Sequence, residues 1–239
     1  MKRSVFLATL LLSMSLSTSV WASPILGTFT IEGDLTLTPT SLTWTAATIA
    51  PVPGTSVDFA PLIGTTVTID DLSPVAPFGV DFTAQQFLSF DSPLAASFPT
   101  LDIDSIFAGL YGAGQCGLAA AVGQVCTPAG NLSFLNFVHN PPPPPTGPQA
   151  TGTFTFSGVT SDGLENWVAI FMFQANVPFQ TVLAQLAASG SVTNSYSATF
   201  TLTPNDSPPP SAVPEPASLT LLGFGLAGMG ARRWRQRKA

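Results

Sequence analysis

From Ser23 to Asp206 apolar and polar residues take turns along the chain, one on and one off. In "GTFTIEG" (27–33), Phe29 and Ile31 fall on one side while Thr28 and Thr30 fall on the other. "GTFTFSG" (152–158) repeats the device with Phe154 and Phe156, and "SYSATFTLT" (195–203) alternates Tyr196, Ala198, Phe200 and Leu202 with Ser and Thr. A period of two over such lengths predicts strands with one buried face. "WVAIFMF" (167–173) is apolar throughout, which predicts a central strand covered on both faces. "TTVTIDDL" (65–72) and "NLSFLNFV" (131–138) add two more strands, and Gly, Pro, Asn and Asp punctuate the gaps. The pattern predicts a mainly β fold, a single antiparallel β-sandwich.

One short helix interrupts the strands. In "NVPFQTVLAQLAASG" the residues Phe179, Val182, Leu183 and Leu186 have helical spacing, Pro178 suits a first turn, and Gly190 can end it. It is expected to cover an end of the sandwich. "HNPPPPPTGPQ" (139–149) is stiff, because its five prolines reach about 15 Å as a polyproline II segment. The chain after it holds about three strands and a helix, too little for an independent sandwich. It is therefore read as a loop inside one domain spanning 23–206. Residues 207–213 form a Pro/Ser-rich linker. The likeness of 27–33 to 152–158 is within what strand composition produces and predicts no duplicated domain.

Both ends break this pattern. "MKRSVFLATLLLSMSLSTSVWAS" has a basic start at Lys2 and Arg3, an apolar run from Val5 to Leu16, and small residues at Val20 and Ala22. Those are the parts of a secretory signal peptide over 1–22, cut between Ala22 and Ser23 by signal peptidase after passage through the Sec translocon. No cysteine follows the apolar run, which argues against a lipoprotein. At the other end, Ala217 to Ala231 carries no charge and predicts an apolar helix. It would be about 22 Å long, short of a roughly 30 Å hydrocarbon core.

Charge explains these ends. The 239-residue chain has 13 acids and only 7 Lys and Arg, and all of the cations lie outside Ser4–Ala231. Five of them, Arg232, Arg233, Arg235, Arg237 and Lys238, fall in the last eight positions. By the positive-inside rule these hold the chain's end in the cytoplasm while the acidic body crosses. A body without Lys or Arg has no means of holding phosphates, so nucleic acid is not expected as a partner.

Pro214-Glu215-Pro216, a Gly-rich apolar stretch and the Arg-rich end (214–239) together resemble the PEP-CTERM sorting signal of Gram-negative bacteria. The resemblance implies recognition and cleavage by an exosortase, a membrane-embedded cysteine protease-like enzyme. It also implies transient anchoring in the inner membrane before delivery to the cell surface or beyond. A GPI signal lacks a basic end, and the sortase motif of Gram-positive bacteria is absent. A plain membrane anchor is the remaining alternative. The body is similar to a group of uncharacterised PEP-CTERM β-sandwich proteins, through its Gly-Thr-rich first strand, mid-chain cysteine pair and late "VTNSYSATFTLTP" strand. That likeness implies a fold and a destination, not an activity.

The body offers little catalytic chemistry. Cys116 and Cys126 are the two cysteines, and in an exported protein they are expected to form a structural disulfide. His139 stands alone before the prolines and reads as a surface residue, with no G-x-S-x-G elbow to serve. Neither a catalytic residue, a metal site nor a cofactor is expected. The carboxylates Glu32, Asp34, Asp58, Asp70, Asp71, Asp81, Asp91, Asp102, Asp104, Asp162 and Glu165 read as solvated loop groups. Asp102 and Asp104 would share a strand face, and with Asp70–Asp71 they supply oxygens of the kind Ca²⁺ takes, although no EF-hand loop organises them. Trp167 is expected in the core, and Trp44 is open between core and sugar-stacking roles. The expected function is a structural or adhesive protein of the surface or extracellular matrix, with exopolysaccharide as a possible partner. The alternative is a secreted carbohydrate-binding module or a carboxylate-dependent glycan-active enzyme.

Overall fold

The computed structural model describes residues 24–51, 55–73, 75, 77–93, 98–140 and 149–206. The signal peptide, the Ala22–Ser23 cut, the linker and the whole tail with Pro214, Glu215, Pro216 and Arg232 to Lys238 lie outside the described residues.

Eleven strands form one antiparallel sheet. They are β1 (Gly27–Leu37), β2 (Leu42–Trp44), β3 (Ala47–Ile49), β4 (Thr66–Ile69), β5 (Asp81–Phe90) and β6 (Leu101–Ile106). β7 (Val125–Cys126), β8 (Asn136–His139), β9 (Ala150–Thr160), β10 (Glu165–Ala175) and β11 (Val192–Pro204) follow. Eight of them close on themselves in the order β10–β11–β1–β3–β4–β5–β6–β9, with β9 pairing back onto β10. The result is a barrel, where a sandwich was expected. Both architectures bury alternate residues, so period two is blind to the difference. What decides it is pairing at two seams: β1 with β3 at Ile31–Ile49, and β6 with β9 from Leu101–Thr160 to Ile106–Phe156.

Two long strands make the closure possible. β1 gives one edge to β11 and divides the other between β3 and β2. β9 likewise gives one edge to β10 and divides the other between β6 and β8, with β7 outside β8. The look-alike segments 27–33 and 152–158 thus lie on opposite sides of the β10–β11 pair. On either side of the proline run, which lies outside the described residues, His139 faces Ala150 across the β8–β9 ladder and the Asn140 amide donates to Gln149 O at 2.9 Å.

Aromatic rings fill the interior, as suits an eight-strand barrel just wide enough for side chains. Phe171 sits at the centre, with ring centroids 4.9 Å from both Trp44 and Phe154 and 5.2 Å from Phe156. Two glycines admit close neighbours, a ring at Gly152 and the backbone of β6 at Gly158. A Cβ on Gly152 would meet the Phe173 ring. One on Gly158 would strike Asp102 O, to which the Trp167 indole N–H, facing Gly158 across the β9–β10 ladder, donates at 3.1 Å.

Two expectations change and one holds. The apolar run in β10 is not covered on both faces: Trp167, Ala169, Phe171 and Phe173 are buried, while Val168, Ile170 and Met172 are exposed on the barrel's outside. A barrel wall has only one packed face, so the odd positions alone find a core. In 131–138 only Asn136–His139 is strand. The preceding Gly130–Leu132 is a 3₁₀ turn that drops Phe134 and Leu135 into the core. The helix α1 (Phe179–Ser189) forms as predicted and ends at Gly190 with φ 76°. It packs Phe179 on Phe137 of β8, 5.8 Å between centroids.

Cys116 and Cys126 form a disulfide, Cα atoms 5.2 Å apart, that pins the β6–β7 loop to the buried end of β7. Closing a loop of this size is worth about 2.8 kcal/mol in the chain-entropy account. Cys116→Ser is expected to lower unfolding free energy by that order, measured by urea titration of the exported protein. Two free thiols in the mature wild type would contradict the account.

Candidate functional site

The chemistry expected of the tail rests on residues outside the described region, and whatever site the barrel offers is separate from it. Among the described residues the barrel's outer wall carries a cleft of about 880 Å³ where β10, β11 and β1 meet. Glu32 and Asp34 of β1 project into it beside Thr193, Ser195 and Ser197 of β11, with Met172, Gln174 and Asn176 at the β10 side. These positions gather there because each is an outward residue of its strand: Glu32 pairs with Ser197, Asp34 with Ser195, and Met172 with Ser197. Ser195 donates to Asp34 Oδ1 at 2.9 Å, which holds that carboxylate in place. The cleft is rich in acceptors and amides, with the Met172 thioether and Tyr196 also in its lining.

The other sequence candidates are dispersed. Trp44 is in the core, edge-on to Tyr196 at 5.1 Å, and Trp167 is buried beside Phe87, so neither stacks a sugar. His139 is not a surface residue: it is buried with its ring edge-on to Phe179 at 6.2 Å. α1 packs Phe179 against it, a contact between a predicted helix and His139 that the sequence did not reveal. Asp102 and Asp104 do share the outward face of β6. Burial, and then the nearby Asp81 carboxylate, push the Asp104 carboxyl above its usual range. Asp71 accepts from the Trp44 amide at 2.9 Å and Asp91 from the Thr68 hydroxyl at 2.9 Å, which are structural roles. Among the described residues no three His, Cys, Asp or Glu side chains group as a metal site would need, so Asp70–Asp71 and Asp102–Asp104 do not meet.

One carboxylate departs from the solvated reading altogether. Glu165 is fully buried at the start of β10. Its Oε1 accepts from the Ile25 amide at 2.7 Å, and its Oε2 lies 2.7 Å from Thr160 Oγ1. Thr160 Oγ1 is also 2.7 Å from Asp162 Oδ1. A hydroxyl has one proton to give, so Thr160 donates to Glu165 Oε2 or to Asp162 Oδ1 while its oxygen accepts from the Glu165 amide at 3.1 Å. Burial pushes the Glu165 carboxyl above its ordinary value of 4.5, the Thr160 and Ile25 hydrogen bonds oppose the rise, and Asp162 adds to it. The group clamps the first residues of the domain to the barrel's end. Sequence offered one signal, a glutamate opening an apolar strand.

The sign of the pH effect follows from the direction of that shift. A folded-state value above the unfolded one means that the folded form binds the proton more tightly. The stabilisation is complete below about pH 4.5 and is lost as pH rises through the folded value. Asp104 acts in the same direction. Glu165→Gln keeps the shape and carries no charge, so its melting temperature is expected to fall less than that of the wild type between pH 4 and neutrality. Calorimetry at constant ionic strength reads this, and parallel profiles would contradict it. Unrelieved repulsion among body carboxylates predicts separately that melting temperature rises with salt, the same for matched NaCl and CaCl₂.

No curated protein matches the chain, and no solved structure matches it. Comparison with family models finds one region, residues 212–237, which match the PEP-CTERM protein-sorting motif. The match covers Pro214-Glu215-Pro216, the apolar stretch and the cations from Arg232 to Arg237, in that order. It marks an exported protein handled by an exosortase-type enzyme and sorted through the membrane towards the cell surface. The chain thus carries, at its C-terminus, the sorting signal of the PEP-CTERM proteins.

Proposed function

We propose that the barrel is a structural, adhesive component of the cell surface or extracellular matrix and is not an enzyme. The observation that carries this reading is the occupied interior: Phe171, Trp44, Phe154, Phe156 and Phe87 take the space in which a ligand-carrying barrel keeps its cavity. What remains for contact is the outer wall, built largely of Ser and Thr hydroxyls on β1, β9 and β11. Signal peptidase, the Sec translocon and the inner membrane are the partners of its export. The test is a gene deletion restored with wild-type protein. Loss of cell cohesion or matrix retention on deletion, with no release of reducing sugar by the purified protein, is expected. Turnover of any glycan by that protein would overturn the reading.

A second reading has one observation in its favour, the cleft of Glu32, Asp34, Gln174 and Asn176. Carboxylate and amide side chains are the groups that hydrogen-bond uncharged sugar hydroxyls, and the lack of any cation disfavours anionic glycans. Binding of a neutral glycan that Glu32→Gln with Asp34→Asn abolishes would favour this carbohydrate-binding role.

A further inference from the structure

We propose that the end of the barrel where β11 stops is the face that meets the processing enzyme, and that the length of the connecting chain imposes this contact. Strand register defines the end. Thr160 closes β9, Glu165 opens β10 opposite Pro204, and Gly27 opens β1 opposite Leu202. Both chain ends of the barrel are fastened here. The Ile25 amide donates to Glu165 Oε1 and the Leu26 amide to Asp58 Oδ2, at 2.7 and 3.0 Å. The Asn205 amide donates to Leu164 O at 2.8 Å, and Asn205 Nδ2 donates to Gly163 O at 3.1 Å. The loop between β3 and β4 joins the same end, because the Ser56 amide donates to Thr28 O at 2.8 Å. Val57 in that loop is 87 % exposed.

Chain length selects the partner. Residues 212–237 match the sorting motif, which an exosortase-type enzyme processes, and the inference rests on that reading. Since Asn205 is held to the β9–β10 turn, the connection to the motif starts at Asp206. Seven residues, 207–213, separate Asp206 from Pro214. Even fully extended, that span is at most about 29 Å. A small protein domain is itself about 30 Å across. An enzyme that holds the motif therefore cannot keep the folded barrel out of reach, and the part within reach is the end that carries Asn205.

The opposite end lies farther away than this tether extends. There the Gly123 amide donates to His139 O at 2.9 Å, and His139 faces Ala150, the first residue of β9. From Ala150 to Thr160 the strand covers about 33 Å. α1 packs on His139 at the same far end. The contact at the near end needs no affinity of its own, because the tether keeps the effective concentration high.

The test uses the full chain in cells whose processing enzyme carries an epitope tag. A photocrosslinking p-benzoyl-phenylalanine takes the place of Val57 at the near end or of Val122, 60 % exposed, at the far end. Illumination during export is expected to give a tagged adduct from position 57 and none from position 122. Inserting about twenty Gly and Ser residues after Asp206 lengthens the tether to about 100 Å. Cutting is then expected to continue while the adduct from position 57 falls roughly sixfold, as effective concentration follows tether length. Equal adducts from both positions would mean that the motif is handled before the barrel folds. That result, no adduct from position 57 in a chain that is being cut, or an adduct unchanged by the longer tether would each overturn the inference alone. A chain never cut in that host would overturn the reading of the tail and the inference with it.

Discussion

Phe171→Ala is expected to destabilise the barrel by about 3–5 kcal/mol, the range for emptying a buried aromatic site. Few substitutions in the body are expected to cost more. Phe171 stacks on Phe154 with an interplanar angle of 6° and a separation of 4.9 Å. It also touches Trp44, Phe156, Phe200 and Tyr196. Those rings come from β2, β9 and β11, so the side chain joins both sides of the β10 ladder to the rest of the wall. Backbone pairing holds the neighbours too firmly to collapse into the gap, so the cavity term adds to the lost transfer energy. A domain of ordinary stability has about 5–15 kcal/mol in total. The variant is therefore expected to reach the surface in much reduced amount and to unfold at lower denaturant, with an unchanged m-value. Unfolding indistinguishable from that of the wild type would mean that the barrel interior is not the core described. Ile170→Ala, one residue away on the outer face, is the control and is expected to be nearly neutral.

That contrast between Phe171 and Ile170 also shows how far the sequence could be read. β1, β9 and β11 declared themselves by strict alternation, and the helix by Pro178, its spaced apolar residues and Gly190. β5 did not, because its pairing with β6 shifts register between Asp81 and Gln85 and again between Gln86 and Leu88, and each shift breaks the period of two. β2 and β3 are three residues long, shorter than any period can be recognised in. β10 was legible as a strand but not as a wall strand: a continuous apolar run looks the same whether its second face is covered by its own chain or left exposed. Barrel closure is set by which edges meet, and pairing such as that of Leu101 with Thr160 or Ile106 with Phe156, far apart in the chain, leaves no local signature. The buried roles of His139 and Glu165 were hidden for a related reason, since each is enclosed by a segment distant in sequence. The tail was the reverse case. Its order of Pro-Glu-Pro, apolar stretch and cations is wholly local, and it was readable residue by residue.

The second large effect lies in that tail. Replacing Pro214-Glu215-Pro216 by three alanines is expected to stop cleavage, leaving an uncut, membrane-held protein. Proline disfavours helix and favours extended backbone, the form a protease cleft binds, so the triplet is expected to stay out of any helix formed by the apolar stretch after it. Three alanines, strong helix formers, let the helix run through the site. Deleting Arg232 to Lys238 is expected to act differently. If the apolar stretch enters the membrane as expected, cations on the cytoplasmic side would keep it from slipping through, since each costs about 2.5–3.5 kcal/mol at the bilayer centre. Without them the uncut protein is expected to escape into the periplasm. Fractionation with an antibody to the barrel separates the two failures. Identical fates for the two variants would contradict this division of labour within the motif.

The central claim is that the barrel is cargo and the motif at residues 212–237 is a signal removed in use. An intact-mass measurement of the wild-type protein, recovered from the surface fraction of a host carrying the processing enzyme, tests it most directly. The account predicts a chain that starts at Ser23, keeps the Cys116–Cys126 disulfide and has lost Arg232 to Lys238 together with the apolar stretch. A protein still bound to the membrane, its mass including Arg232 to Lys238, would make the tail a plain anchor and contradict the account.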